Sequence, residues 1–207
     1  MSLDASCHRA CARGAVAFIA LALGLSLHAT AAPSPLPVVA GDFPCLTKLT
    51  PVRGFYVGNL RGDLAATLRV ARSPNGGVYP PGSVVQLIPT EVMVKQPVGT
   101  SPVTRDWEFF ELAVSSAGSR IVKRGYADLV ASDGGSCFGC HAAARPEWDM
   151  ICESTHGCAP IPETPPMIRA LQHTDPRCKG SDKVSAQDAQ ALRELAIVER
   201  KAAAAKR

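Results

Sequence analysis

Val84-Val85-Gln86-Leu87, Thr90-Glu91-Val92-Met93-Val94, Trp107-Glu108-Phe109-Phe110-Glu111-Leu112-Ala113-Val114 and Arg120-Ile121-Val122-Lys123-Arg124 form the stretch whose reading decides the fold. Each segment is short, rich in β-branched or aromatic residues, and parted from the next by Pro, Gly or Ser, so each predicts a strand. Their succession predicts antiparallel pairing. The fold class expected is therefore α+β, mainly an antiparallel sheet with a few helices. In residues 107–112 the alternation is imperfect, and period alone does not decide which of Phe109 and Phe110 faces the core.

Upstream, Ser73-Pro74-Asn75-Gly76-Gly77 and Pro80-Pro81-Gly82 are turn signals that introduce the β-rich middle. Between Phe55 and Val70, Leu60, Leu64, Ala65 and Leu68 recur at helical spacing, with Asn59 or Asp63 as a cap, which predicts a short helix. Residues 32–44 are rich in proline and small side chains and read as a flexible lead-in. At the start, Arg9 and Arg13 precede an uncharged run over 15–27, and Ala29-Thr30-Ala31 supplies small residues for cleavage. Such a run is shorter than the roughly 20 residues of a membrane span, so residues 1–31 read as an export signal in preference to an uncleaved anchor.

Downstream of the strands the chain turns irregular, with Pro160, Pro162, Pro165, Pro166 and Pro176 close together. A last helix is expected after Ser185, presenting Ala189, Leu192, Leu195 and Ala196 on one face, with a basic tail over 201–207 that frays. One domain is expected over 45–200. The expectation is a periplasmic or otherwise exported protein with no membrane segment after signal cleavage. The net charge of +4 becomes +3 once Arg9, Arg13 and Asp4 leave with the signal. No concentrated basic stripe is present, which argues against nucleic acid as a partner.

Of eight cysteines, Cys7 and Cys11 leave with the signal, and Cys45, Cys137, Cys140, Cys152, Cys158 and Cys178 remain. Cys137-Phe138-Gly139-Cys140-His141 is the arrangement for covalent c-type haem: thiols three residues apart on a helical turn reach both vinyl groups, and the adjacent imidazole reaches iron. One covalently bound haem c is therefore expected, with His141 as the proximal ligand of its iron. A thioredoxin-like pair would need a βαβ setting, and zinc would need a second ligand pair at knuckle spacing. The strongest competitor is a mixed zinc site adding Cys152, His156 or Cys158. With Cys137 and Cys140 consumed, four cysteines allow two disulfides in three connectivities, the expected pairs being the local Cys152–Cys158 and a long-range Cys45–Cys178. The sixth iron position has few candidates: Met167 first, then Met150, His156 and His173, although a methionine in a loop is more readily a packing residue than a ligand.

Together with the late haem motif, Tyr79-Pro80-Pro81-Gly82-Ser83-Val84-Val85, Trp107-Glu108-Phe109-Phe110, Gly118, Ala144 and Asp149-Met150-Ile151 resemble the mono-haem cytochrome P-460 and cytochrome c-prime-beta family, over roughly residues 55–152. The resemblance implies a mainly antiparallel β fold, often dimeric, with a five-coordinate haem under a distal pocket built on the sheet. In one branch a lysine is cross-linked to the porphyrin and hydroxylamine is oxidised. In the other an apolar pocket, commonly phenylalanine, binds nitric oxide or carbon monoxide. The lysine position falls near Leu87, between Gln86 and Ile88, and Lys95 is the nearest lysine. The resemblance thus implies distal contacts from Leu87 and from Phe109 or Phe110, and the Cys152–Cys158 stretch with Cys178 marks a disulfide-bearing relative.

Three functions follow as expectations. The first is a cytochrome binding a small gaseous or nitrogenous ligand, or doing redox chemistry with a partner protein, at an open-sided haem. The second is a saturated electron carrier with Met167 as axial ligand, and the third a haem enzyme acting on a small nitrogen compound or peroxide, with Arg105, Glu108, Glu91 or Lys95 as distal groups. Strand-rich sequence precedes the haem motif, whereas in small class I carriers the motif comes first, and this order favours the first.

Overall fold

The computed structural model describes residues 33–132, 134–153 and 155–205. The segment read as an export signal lies outside them. Six strands, β1 (Thr50–Val52), β2 (Phe55–Asn59), β3 (Ser83–Ile88), β4 (Glu91–Lys95), β5 (Trp107–Ser115) and β6 (Gly118–Gly125), form one sheet in sequential order, each antiparallel to its neighbour. The four expected strands correspond to β3 to β6, with Thr90 left just ahead of β4, and the fold is α+β. The region read as a helix divides. Phe55, Tyr56 and Val57 favour extended backbone and form β2, and helix α1 (Leu64–Ala71) starts only after Asp63, whose carboxylate accepts the Ala66 N–H at 3.1 Å.

Alternation along the strands gives the sheet two apolar faces. On one, Val57, Val85, Met93, Trp107 and Phe109 meet α1 and residues 150–151. On the other, Val84, Val92, Val94, Phe110 and Leu112 meet Val38 and Phe43. Residues 36–43 therefore do not form the flexible lead-in expected. They pack on the second face, where the Leu36 N–H donates to Gln96 Oε1 at 2.7 Å and Arg124 Nη1 donates to the Val38 carbonyl at 3.0 Å. Burying Val38 and Phe43 offsets the ordering cost that their prolines and small neighbours suggested they would avoid.

After β6 come three helices: α2 (Cys137–His141), α3 (Pro165–His173) and α4 (Ala186–Ala205). Helix α3 occupies the proline-rich stretch expected to be irregular, because Pro165 and Pro166 sit in its first turn, where the missing N–H groups need no intrahelical partner. Helix α4 continues to Ala205, beyond the expected boundary at residue 200, carried by alanines with the best helix propensity. Both expected disulfides are formed, Cys45–Cys178 across 133 residues and Cys152–Cys158 across 6. Beside the first, Asp175 accepts the Leu46 N–H at 3.0 Å and pairs with Arg177 at 2.8 Å, in a site closed to solvent. No helix among the described residues is long and apolar enough to cross a membrane.

Candidate functional site

Helix α2 is little more than one turn long and is started by Ser136, whose hydroxyl accepts the Gly139 N–H at 3.0 Å. This turn places Cys137 and Cys140 one above the other, with His141 next to them. Cys137 is half-buried and packs with Phe138 against the core of the first sheet face, while Cys140 is exposed. Neither is disulfide-bonded. Cys152 and Cys158 are bonded to each other, so they are not thiolate ligands for a mixed zinc site with Cys137 and Cys140. Their bridge lies against the end of α2: Cys152 Sγ is 3.3 Å from the Cys140 carbonyl oxygen, a sulfur–oxygen contact, since a disulfide sulfur carries no proton.

His141 Nδ1 is 2.7 Å from the Met150 carbonyl oxygen. A carbonyl can only accept, so Nδ1 carries the proton and Nε2 keeps its lone pair. Burial, the larger influence, lowers the imidazole pKa, and the Met150 carbonyl opposes this only in part, so the ring is neutral at neutral pH, as a metal ligand must be. The Phe109 ring lies 5.4 Å from the imidazole, tilted by 42°.

The Met150 carbonyl is held by an irregular loop. A 3-10 turn over Pro146–Trp148 leads into Asp149 and Met150, both left-handed, at φ 47° and 68°. Asp149 is 2 % exposed and accepts from Lys95 Nζ and from the Tyr79 N–H, each at 2.8 Å. Its own carbonyl accepts from the Trp107 indole at 2.7 Å. Lys95, 3 % exposed, also donates to the Arg105 carbonyl at 2.6 Å and lies 5.0 Å from the Trp107 ring centre. Burial lowers the Lys95 pKa and raises that of Asp149, and their mutual attraction works against both shifts. The turn at Gly76-Gly77 braces the loop through a 2.7 Å bond from the Gly77 N–H to the Glu147 carbonyl, and a side chain at Gly76, φ 72°, would collide with that carbonyl.

The structure separates the two phenylalanines. Phe109, 2 % exposed, shares the face of Cys137, Phe138 and His141, whereas Phe110 packs on the opposite face, 5.2 Å from Phe43 and under Arg124. Leu87, for which the resemblance implies a distal contact, is 37 % exposed and stands outside the buried cluster around Phe109. A register shift between Val85 and Ile88 displaces it, and Val85 and Met93 fill the sheet face beside Phe109. The other candidates are engaged elsewhere. Met167 Sδ accepts the Thr164 N–H at 3.4 Å, His156 stacks on Trp148 at 3.6 Å, and His173 faces Asp188 at 3.2 Å. Glu108 pairs with Arg124 at 2.7 Å and accepts from Gln96 at 2.7 Å. Lys95 is committed to Asp149, so the nearest lysine to the cross-link position is an anchor of the loop. Comparison with family models, characterised proteins and solved structures finds no match for the chain.

Covalent haem requires two thiols and an imidazole on one turn, an imidazole with Nε2 unprotonated, and apolar surface for the macrocycle. Cys137, Cys140 and His141 meet the first two requirements; toward the third, Phe138 is half-buried beside Cys137, while Val85, Met93 and Phe109 belong to the buried cluster it packs against. The residues present fit the group. Sequence reasoning did not mark Met93, nor the roles of Trp107, Asp149 and the Met150 carbonyl, because a backbone acceptor leaves no residue signature.

Proposed function

We propose that the chain is an exported cytochrome carrying one haem c, attached through Cys137 and Cys140 with His141 as proximal ligand, and binding a small ligand at an open, apolar distal side. The observation that carries this reading is the 2.7 Å bond from His141 Nδ1–H to the Met150 carbonyl, on the same helical turn as both thiols. When bound, the haem supplies a one-electron redox centre and a coordination position for a ligand such as nitric oxide or carbon monoxide. The chain's part is to orient the imidazole, keep its ring neutral, and present apolar side chains from β3, β4 and β5. The signal-like segment, together with two disulfides, supports export to an oxidising compartment. The exposure of Cys140 supports access for a redox partner protein at that edge.

The saturated-carrier reading is weaker, since Met167 caps the start of α3 with its sulfur and stands outside the cluster that holds Cys137 and Phe109. Hydroxylamine oxidation through a lysine cross-link is weaker too, because Lys95 is buried in its pair with Asp149. The test is the visible spectrum of the reduced, haem-loaded protein, before and after carbon monoxide. A high-spin spectrum that shifts at once on adding the gas, and is unchanged in Met167→Ala, supports the reading. A low-spin spectrum that becomes high-spin in Met167→Ala would make the protein a saturated carrier.

A further inference from the structure

We infer that the buried Lys95–Asp149 ion pair is the positioning device for His141, acting through the Met150 backbone to set how strongly the imidazole donates to iron. The inference rests on the haem reading for its consequence at iron, but the geometry it uses stands without haem. Asp149 and Met150 are successive non-glycine residues at positive φ, a costly conformation that persists only where the surroundings over-determine it. Here the determinants are visible. Lys95 Nζ from β4 and the Tyr79 N–H ahead of β3 grip the Asp149 carboxylate, and the Trp107 indole from β5 grips its carbonyl. Three points on rigid sheet or its approach thus pin one residue of an otherwise irregular loop.

The next residue supplies the acceptor for His141 Nδ1–H, so any rotation of the Asp149 or Met150 backbone swings that carbonyl off the ring. An imidazole whose N–H is held by a strong acceptor is a better electron donor through its other nitrogen, which favours the oxidised metal. A buried ion pair is poor at adding stability compared with apolar packing of the same volume. What it adds here is a defined place for the loop: the Lys95 ammonium reaches both the Arg105 carbonyl and the Asp149 carboxylate, and it lies against the Trp107 ring whose indole N–H holds the Asp149 carbonyl. Lys95 and Asp149 act on His141 through the Met150 backbone, and both are positioning residues.

The experiment compares wild type with Asp149→Asn, Lys95→Met/Asp149→Asn and a core control, Phe110→Ala, all as the full chain. Two readouts are used: imidazole nitrogen-15 shifts of His141 in protein made without haem, and the ferrous iron–histidine stretch and midpoint potential of haem-loaded protein. Wild type should show one tautomer, with the proton on Nδ1, and both positioning variants a mixture of the two. In the loaded forms the stretch should move to lower frequency and the potential upward. The double variant removes a positive and a negative charge together, so a potential shift that survives in it comes from the imidazole and not from lost charge. Phe110→Ala, destabilised on the opposite face, should leave tautomer and stretch as in wild type. Unchanged tautomer and stretch in both positioning variants, or the same changes in Phe110→Ala, would overturn the inference. If wild type takes up no covalent haem, the haem reading falls, and the tautomer result alone decides whether the pair positions His141.

Discussion

Replacing Asp149 with alanine should be among the most damaging single changes outside the hydrophobic core. The substitution leaves the Lys95 ammonium in a site only 3 % exposed with the Arg105 carbonyl as its remaining hydrogen-bond acceptor, and it strips the Tyr79 N–H of its acceptor. Removing one member of a buried pair costs about 3–5 kcal/mol, chiefly through the uncompensated charge. An orphaned buried N–H adds about 1–3 kcal/mol, and the two costs overlap because both belong to one desolvated site. We therefore expect a loss of about 4 kcal/mol or more, a large share of the roughly 5–15 kcal/mol that a domain of this kind has in total. Lys95→Met/Asp149→Asn should lose less than the single changes Lys95→Met and Asp149→Asn summed, by about 2 kcal/mol, since it removes both charges and Asn still tolerates the left-handed backbone and accepts from Tyr79. The assay is urea unfolding at pH 7 followed by tryptophan fluorescence, read as the shift in midpoint at constant slope. A loss under about 1 kcal/mol for Asp149→Ala, or strict additivity in the double variant, would refute the reasoning.

Removing the Cys45–Cys178 bridge as a double Cys→Ala change should cost about 2–5 kcal/mol and more than removing Cys152–Cys158, because it closes a loop across 133 residues instead of 6; paired urea titrations check the order. At Asp175, burial, the largest influence, pushes the carboxyl up, but the Arg177 pair and the Leu46 and Arg177 N–H groups outweigh it and hold it below its ordinary value. Because the folded value is the lower one, the stabilisation is present above about pH 4 and is lost as pH falls through the folded value, so Asp175→Asn should flatten stability against pH on the acid limb. Phe109→Ala and Phe110→Ala should each cost about 3–5 kcal/mol, but only Phe109→Ala should alter the carbon monoxide stretch of loaded protein, since only Phe109 lies against His141. An equal effect from Phe110→Ala would contradict the assignment of faces.

Strands β3 to β6 were legible because Val, Ile and Phe cluster in short runs bounded by turn residues, and the disulfide pairs because local spacing left one remaining combination. Strand β2 was hidden where Phe55-Tyr56-Val57 runs into Leu60 and Leu64, whose spacing mimics one helix, although Asp63 caps α1 only from Leu64. Helix α3 was hidden by Pro165 and Pro166, which mark a helix start as readily as a loop. The facing of Phe109 and Phe110 was illegible for a physical reason: β5 is an interior strand, paired to β4 and β6, and is covered on both faces where these residues lie, so adjacent residues are both buried and alternation carries no signal. At the site, the spacing of Cys137, Cys140 and His141 is local and could be read directly. The Met150 carbonyl, the left-handed backbone at residues 149–150 and the buried Lys95 beneath it depend on pairings between distant segments, which no window of sequence contains.

Covalent attachment of haem is the most direct test of the account. The full chain, produced in a host with c-type haem assembly, should keep its haem through acid–acetone extraction and give a pyridine haemochrome of the thioether-linked type at one per chain. In Cys137→Ala/Cys140→Ala the extract should carry away whatever haem is bound. Wild-type protein that releases all its haem on extraction, or that holds stoichiometric zinc instead, would contradict the assignment of Cys137, Cys140 and His141.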